Sequence, residues 1–226
     1  MALVLRKGPG HIMANMVLVR RVCLMMALVS SAWAAPRQHS ILLGKWQTVT
    51  MLADSGESRN VKVRGLIVDG RVREYTVGAS HDVTDRLFVI RRAYRVNDAL
   101  PQDPGSASQW VWRLDGWVSV DRSTGHVAQL NLPVFDPESS EASWYRDYAA
   151  YCGTSDDGEK AYLVVWQLGR RKPLLRKEFS GPACSAPAWE RKPARVTFSA
   201  GGEKNSFIVR THGADAQAEA GEGEDP

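Results

Sequence analysis

Three tryptophans within a span of eight residues are the side chains with the clearest capacity to bind a ligand. Trp110, Trp112 and Trp117 alternate with valines around Asp115-Gly116. Alternation along strands places the three indoles on one face and the valines on the other. Indole rings stack on sugar faces or on flat apolar ligands. We therefore expect either that the tryptophans form the core, or that they bind a glycan or an apolar small molecule.

A basic face on a second predicted hairpin is a candidate anion patch. Its basic side chains are Lys62, Arg64, Arg71 and Arg73. Alternation around Asp69-Gly70 places them on the same face as Tyr75, opposite the valines that would enter the core. Such a face suits an anionic polymer or a lipid headgroup. The alternative is a solvated outer face, whose basic side chains discourage edge-to-edge pairing with other sheets.

The cysteines predict a disulfide rather than a catalytic thiol. Cys23 lies in the N-terminal apolar run, which leaves Cys152 and Cys184 as an even pair. An even count is typical of proteins that fold in an oxidising compartment. No protease-type motif surrounds either residue, so we expect the two to be bridged.

No motif assigns a reaction, a cofactor or a metal. The histidines lack metal-ligand spacing, and the nucleophile elbow, phosphate-binding loop and calcium loop are all missing from the sequence. We therefore expect no catalytic residue, no cofactor and no metal. A hydrolase of the cell envelope stays open as an alternative, because paired carboxylates meet in space rather than in sequence.

The elements that would carry these residues are strands. β-branched and aromatic residues dominate segment after segment, and Gly, Pro, Asn or Asp fill the gaps. Asp69-Gly70 and Asp115-Gly116 each favour a two-residue type I′ hairpin. The sequence thus predicts an all-β fold of roughly 8–11 strands with little helix, as a single antiparallel barrel, a sandwich or a propeller-like meander.

Residues 137–151 admit two interpretations. Asp136-Pro137-Glu138 has the form of a helix start, and a helix from there would end before Gly153. Alternatively, a strand over residues 145–152 pairs with residues 161–168 across a turn at 155–158. We favour the strand, because the polar turn and the apolar run after it form a hairpin partner.

The N-terminus has the pattern of an export signal. Arg20-Arg21 precedes an unbroken apolar run at 22–29, and Ala32-Trp33-Ala34 supplies the small residues of a cleavage site. The run is too short to span a bilayer. We expect a signal peptide over residues 1–34, cleaved between Ala34 and Ala35 to give a periplasmic or secreted protein. Met13 and Met16 are alternatives to Met1 as the start.

Removal of this leader changes the charge balance. Four of the 29 basic residues lie within residues 1–34, which leaves 25 basic and 25 acidic residues. A neutral chain gives no reason to expect nucleic-acid binding. We expect a single all-β domain over residues 35–212 and no membrane span. Residues 213–226, with five acids and no base, form a predicted disordered acidic tail.

Two families share short motifs with the chain. Residues 115–130, with the D-x-x-T-G turn at 121–125, resemble a β-propeller blade. Gly44-Lys45-Trp46 resembles the G-x-W that opens a lipocalin barrel, and Arg146-Asp147-Tyr148 resembles that family's T-D-Y motif. Arg170 or Arg171 would stand for the lipocalin arginine that closes over the tryptophan. The lipocalin resemblance implies a closed barrel that carries an apolar ligand, although residues 195–210 predict a hairpin where lipocalins have a helix.

The sequence as a whole favours a non-catalytic binding or structural module over an enzyme. This expectation depends mainly on the lack of any recognisable catalytic motif, and the tryptophans, which offer more apolar surface than one core needs, are the leading candidates for ligand contact. An enzyme would instead concentrate polar groups in a cleft.

Overall fold

The computed structural model describes residues 39–52, 56–97, 110–180 and 184–210, together with the backbone of a strand at Gln217–Ala220. Within these ranges the chain forms strands and turns with no helix, which confirms the predicted all-β class. The predicted signal peptide lies outside the described residues. No helix that could cross a membrane occurs in the part of the chain that the structure describes.

Fifteen strands occur in the described ranges, more than predicted, because strands of three or four residues are too short to show an alternating pattern. They are β1 (Ile41–Leu43), β2 (Gln47–Leu52), β3 (Ser58–Val68), β4 (Arg71–Asp82), β5 (Leu87–Asn97), β6 (Trp110–Asp121), β7 (Val127–Leu130), β8 (Ser143–Tyr145), β9 (Tyr148–Thr154), β10 (Ala161–Gln167), β11 (Leu175–Phe179), β12 (Ala188–Arg191), β13 (Ala194–Ala200), β14 (Glu203–Arg210) and β15 (Gln217–Ala220).

The first sheet contains β1 to β7, and five of its strands pair in a cycle. Each strand from β2 to β5 pairs antiparallel with the strand that follows it in the chain. β6 and β2 close the cycle through one parallel pair, Met51 opposite Trp112. Met51 packs in a buried cluster with Val63, Val77 and Ala93. These residues share one face of the cycle. Val63 lies opposite Val77, Val77 lies opposite Arg91, and Ala93 is two residues beyond Arg91 on β5 and so lies on the same face.

The turn between β3 and β4 has the predicted geometry. Asp69 has φ 51° and Gly70 has φ 76°, the pair of positive values that a type I′ turn requires. The Asp69 carboxylate accepts hydrogen bonds from the Ser40 backbone N–H at 3.0 Å and from the His39 ring, which lies 2.8 Å away. The start of β1 is thereby fixed to the tip of this hairpin.

The second Asp-Gly pair does not form a hairpin, so that prediction is wrong. Residues 110–121 are one strand, β6, paired along its length with β5. Leu114 lies opposite Ala93 and Trp117 opposite Arg91, so Asp115-Gly116 forms a β-bulge opposite a single residue. A turn at this position would have required Trp110 and its neighbours to pair with the strand that follows them. The long strand β5 supplies that partner instead.

The second sheet contains β8 to β11 and is buried on both faces. One set of side chains packs against the first sheet: Ala149, Tyr151, Val164 and Trp166. The alternate set packs against the third sheet: Tyr148, Ala150, Leu163 and Val165. Burial on both faces explains why β9 and β10 are apolar at successive positions rather than at every second one. In the sequence, such a continuous apolar run fits a buried strand and a buried helix equally well.

Residues 137–151 contain no helix, and the preferred strand is confirmed from Tyr148 onward. A turn at Arg146-Asp147 separates it from β8, so the strand predicted over 145–152 begins three residues late. β9 pairs with β10 across the turn at 155–158, with Thr154 opposite Ala161 and Tyr148 opposite Gln167. The helix-start pattern at Asp136 forms an isolated turn, in which Asp136 accepts the N–H of Glu138 at 2.9 Å.

The third sheet contains β12 to β15 and is tied to the second by a disulfide. Cys152 of β9 is bonded to Cys184, which forms an isolated bridge with Ala200 of β13. The predicted disulfide is confirmed. The predicted disordered tail includes β15, which pairs with β14 and places Ala220 opposite Phe207, and the rest of that tail lies outside the described residues.

The three sheets are stacked, with the second between the other two. The single closed barrel, the form that the lipocalin resemblance implies, is therefore wrong. Two of the three sheets are four-stranded, and each is a meander in chain order, so the sandwich and meander alternatives describe the fold.

Candidate functional site

The three predicted tryptophans all lie on β6, but they occupy different environments. Trp110 is 54% exposed, Trp112 is half-buried and Trp117 is 8% exposed. The bulge at Asp115-Gly116 keeps all three on one face, as predicted, because the residues opposite them on β5 also share a face. The second sheet covers this face at Trp117. The predicted group of three is therefore one exposed indole, one that is half-buried against the Met51 cluster, and one core residue.

Arg95 contacts both the exposed Trp110 and the half-buried Trp112. It lies directly opposite Trp112 in the ladder between β5 and β6. Its guanidinium carbon is 5.2 Å from the ring centroid of Trp110 and 5.6 Å from that of Trp112. Such cation–π contacts contribute about 0.5–1 kcal/mol each at exposed sites. They orient both indoles around one planar cation.

Tyr75 of β4 is the fourth member of this group. Its ring packs edge-on against Trp112, with centroids 4.9 Å apart and planes at 89°. We refer to Trp110, Trp112, Arg95 and Tyr75 as the aromatic–arginine surface. It combines three aromatic rings with one cation, so it offers flat apolar faces and hydrogen-bond donors.

An ion-pair network fixes the bulge that aims these side chains. Arg92 donates to Asp115 at 2.6 Å and to Glu74 at 2.8 Å. The second oxygen of Asp115 accepts the N–H of Gly116 at 2.7 Å. The bulge therefore has a specific anchor on the opposite face from the tryptophans. This anchor links β4, β5 and β6 at the point where the strand pairing is irregular.

Trp117 belongs to the core between the first and second sheets. Its ring lies 5.4 Å from that of Trp144, which in turn stacks against His81 at 6.0 Å. Val89 and Tyr151 pack in the same cluster. Burial raises the pKa of the Tyr151 phenol, whose hydroxyl donates to the Pro133 carbonyl at 2.8 Å. These contacts are those of a structural residue.

The predicted basic face is not continuous, and Tyr75 is not part of it. Between β3 and β4 the register shifts by one residue at Arg73, so that Arg64 lies opposite Thr76 instead of Tyr75. A shift of one residue moves each later side chain to the other face. Lys62 and Arg64 lie together on β3, whereas Arg71 and Arg73 are exposed beside the hairpin turn.

Arg64 has a partner that the sequence did not suggest. Its guanidinium carbon lies 4.1 Å from the ring centroid of Trp46, and it donates to the Gly78 carbonyl at 3.4 Å. Trp46 is the tryptophan of the lipocalin-like motif and is 45% exposed. The arginine over that tryptophan is thus Arg64 of β3, not the predicted Arg170 or Arg171.

An open cleft of about 500 Å³ lies between the loop at 132–136 and the turn at 154–158. Two of its lining residues are carboxylates, Asp136 and Asp156. Asp136 accepts hydrogen bonds from the Glu138 N–H and the Ser139 hydroxyl, so it fixes its own turn. Hydrolysis by two carboxylates needs a pair that faces the substrate. Of the two carboxylates in this cleft, Asp136 is engaged by its own turn and only Asp156 accepts no hydrogen bond from a described residue, so the cleft offers one available carboxylate rather than a pair.

Arg95, Tyr75 and Trp46 were not among the predicted site residues. Arg95 was missed because its contact with the tryptophans depends on the pairing of β5 with β6, and the sequence did not indicate that these two strands are neighbours. Tyr75 was placed on the wrong face by the bulge at Arg73. Trp46 carried a signal, its position in a G-x-W motif, but not one that linked it to Arg64.

No protein-family model, no curated protein and no solved structure matches this chain.

Proposed function

We propose that the protein is an exported, non-catalytic binding module whose ligand packs against the aromatic–arginine surface. The observation that carries the proposal is the exposure of Trp110. This side chain is 54% exposed although it lies in a strand and contacts Arg95. A large aromatic side chain left accessible and oriented by a cation is a common feature of binding sites.

The chemistry of this surface suits a ligand with a flat face. The indoles of Trp110 and Trp112 offer apolar rings with a donor N–H at the edge. The guanidinium of Arg95 carries five donors in one plane. A glycan ring uses both properties, because its C–H face stacks on indole and its hydroxyls accept hydrogen bonds. A flat apolar molecule uses the rings alone.

The same groups favour binding over catalysis. Proton transfer in enzymes relies most often on imidazole, carboxylate, amine or thiol groups placed at the ligand. Of the four residues of the aromatic–arginine surface only Tyr75 can transfer a proton, and its described ring contact is with Trp112 rather than with a base. The charged group among them, Arg95, is a permanent donor rather than a base.

Export is supported by the sequence of the leader and by the Cys152–Cys184 disulfide. Disulfides persist in oxidising compartments and are rare in reducing ones. A periplasmic or secreted protein would meet glycans of the cell envelope or its surroundings, which fits the ligand class that the surface favours.

Tryptophan fluorescence during ligand titration tests the proposal. Probes are chitohexaose and cellohexaose for the glycan arm and 1-anilinonaphthalene-8-sulfonate for the apolar arm. We expect at least one probe to bind, and Trp110→Ala to weaken it by about tenfold or more, a change of about 1.4 kcal/mol. Arg95→Lys keeps the charge but loses the planar stack, so it should also weaken binding.

Leu42→Ala is the matched control, since Leu42 is an exposed apolar residue, 59% accessible, on β1. It should bind each probe like the unmodified protein. Binding that survives both Trp110→Ala and Trp112→Ala would disprove the proposed site. Conversion of a probe to product would disprove the non-catalytic assignment.

A further inference from the structure

A second surface lies on the outer face of β2 and β3, independent of the aromatic–arginine surface. It consists of six side chains, which we call the β2–β3 strip: Trp46, Thr48, Thr50, Asn60, Lys62 and Arg64. Thr48 lies opposite Lys62, and Thr50 lies opposite Asn60 and donates to it at 3.1 Å. The alternate residues of these strands, such as Met51 and Val63, point the other way into a core cluster.

One end of the β2–β3 strip is an ordered aromatic platform. Trp46 is 45% exposed, and Arg64 packs on its ring at 4.1 Å. The guanidinium also donates to the Gly78 carbonyl at 3.4 Å. Because Arg64 covers one part of the indole, the accessible remainder is held in a constant orientation. A pre-oriented ring loses less entropy when a ligand stacks on it.

The charge of the β2–β3 strip is positive and not balanced locally. Lys62 is exposed and makes no ion pair with any described residue. None of the six residues is a carboxylate. The acid that follows on the same face of β4, Glu74, is bound by Arg92 at 2.8 Å. Lys62 is therefore available to an anionic ligand, and the half-buried Arg64 beside it adds a positive charge that no described carboxylate pairs with.

We propose that the β2–β3 strip binds an acidic polysaccharide. One sugar ring stacks on Trp46, its carboxylates contact Arg64 and Lys62, and its hydroxyls bond to Thr48, Thr50 and Asn60. From residue 46 to residue 50 an extended strand rises about 13 Å, which gives an elongated rather than a point-like site. A row of alternating hydroxyl, amide and cationic groups matches a polymer of acidic sugars.

The geometry favours a polysaccharide over a lipid surface. Membrane binding of this kind combines basic residues with apolar side chains that insert into the bilayer. The exposed apolar residues Leu42 and Val72 are 59% and 51% accessible. They align with Ile67, on the opposite face of the sheet from Arg64. The positive charge and the insertable apolar groups therefore face different directions.

Calorimetric titration with polygalacturonate tests this inference, with the methyl-esterified polymer as the uncharged counterpart. We expect the exported protein to bind the acid polymer and to lose most of that binding with the ester or at high salt, where charges are screened. Trp46→Ala and the double variant Lys62→Gln/Arg64→Gln should each weaken binding by about tenfold or more.

The matched control is Arg71→Gln/Arg73→Gln, which removes the same charge from a basic site outside the β2–β3 strip. It should bind polygalacturonate like the unmodified protein. Thr48→Glu, at an exposed position in the middle of the strip, should abolish binding by repulsion without removing a core contact. Equal loss in the control variant would show only a net-charge effect and would overturn the proposal.

Two further outcomes would also overturn it. One is polymer binding that Trp46→Ala leaves unchanged, since the proposal requires stacking. The other is tighter binding to vesicles of phosphatidylglycerol and phosphatidylcholine than to polygalacturonate, with loss in Leu42→Ala, which would identify a lipid surface instead. Trp110→Ala, the variant that tests the proposed function, should leave polygalacturonate binding intact.

Discussion

Gly153 lies directly against the backbone of Val134. A Cβ atom on Gly153 would come within 2.3 Å of the Val134 carbonyl oxygen, which also accepts the Thr154 N–H at 2.9 Å. β8 pairs only with the first three residues of β9. The loop that contains Val134 therefore takes the place of a neighbouring strand beside the remainder of β9.

We expect Gly153→Ala to lower the free energy of unfolding by about 1–3 kcal/mol or more, because the added methyl group must displace a backbone carbonyl. Urea denaturation followed by circular dichroism measures the change. Gly116→Ala is the control, since its Cβ would meet nothing nearer than the Leu130 carbonyl oxygen at 3.9 Å. Equal stability of the two variants would contradict the close approach.

Trp117 and Trp110 should respond differently to the same substitution. Trp117→Ala removes a buried ring from the core between two sheets, at a cost of about 3–5 kcal/mol. Trp110→Ala, at an exposed position, should change the free energy of unfolding by about 0.5 kcal/mol or less. Denaturation of the two variants under identical conditions checks both values. Similar costs for both would mean that Trp110 is also a core residue.

The contrast between the two Asp-Gly pairs shows which parts of the fold the sequence can predict. Asp69-Gly70 forms the expected turn, because the strands it joins are each other's partners. Asp115-Gly116 has the same local preference, but β5 pairs with the chain on both sides of it. Local propensity identified the strands and one turn. It could not identify a competing partner elsewhere in the chain.

Side-chain faces were predictable only as far as the strand register was regular. Trp110, Trp112 and Trp117 were placed on one face correctly, although for the wrong reason, since a bulge and not a hairpin keeps them there. One unpaired residue at Arg73 moved Tyr75 away from the basic residues and towards Trp112. Bulges leave little trace in a sequence, because many residue types tolerate them.

The disulfide should contribute substantially to stability. Cys152 and Cys184 are 32 residues apart, and closing a loop of that length stabilises a fold by about 3–4 kcal/mol in the chain-entropy model. The double variant Cys152→Ser/Cys184→Ser should lose about this amount in urea denaturation and melt at a lower temperature. Two titratable thiols in the unreduced, unfolded protein would contradict the bridge.

Acid should destabilise the protein in part through Asp121. The Arg86 guanidinium, at 2.6 Å, and the hydroxyl and N–H of Ser123 hold the pKa of the Asp121 carboxyl well below its usual range. A lowered pKa means that the ionised carboxyl stabilises the fold above about pH 4, the pKa of an unfolded aspartate. That contribution is lost as the pH falls below this value.

Melting temperatures between pH 7 and pH 2 measure this effect. Asp121→Asn should be less stable than the unmodified protein at neutral pH and should lose less stability on acidification. Asp85→Asn is the control, because the Asp85 carboxylate accepts no hydrogen bond from a described residue. If both variants keep the original pH dependence, Asp121 does not contribute to it.

The position of the second sheet in the chain has a consequence for how the protein folds. Its strands end at residue 179, and the third sheet, which covers one of its faces, follows entirely after that point. A chain that has been synthesised or delivered only that far can bury Tyr151 and Trp166 against the first sheet. It leaves Tyr148 and Leu163 uncovered. The third sheet thus shields an apolar face that would otherwise be exposed, and a chain truncated before it should aggregate.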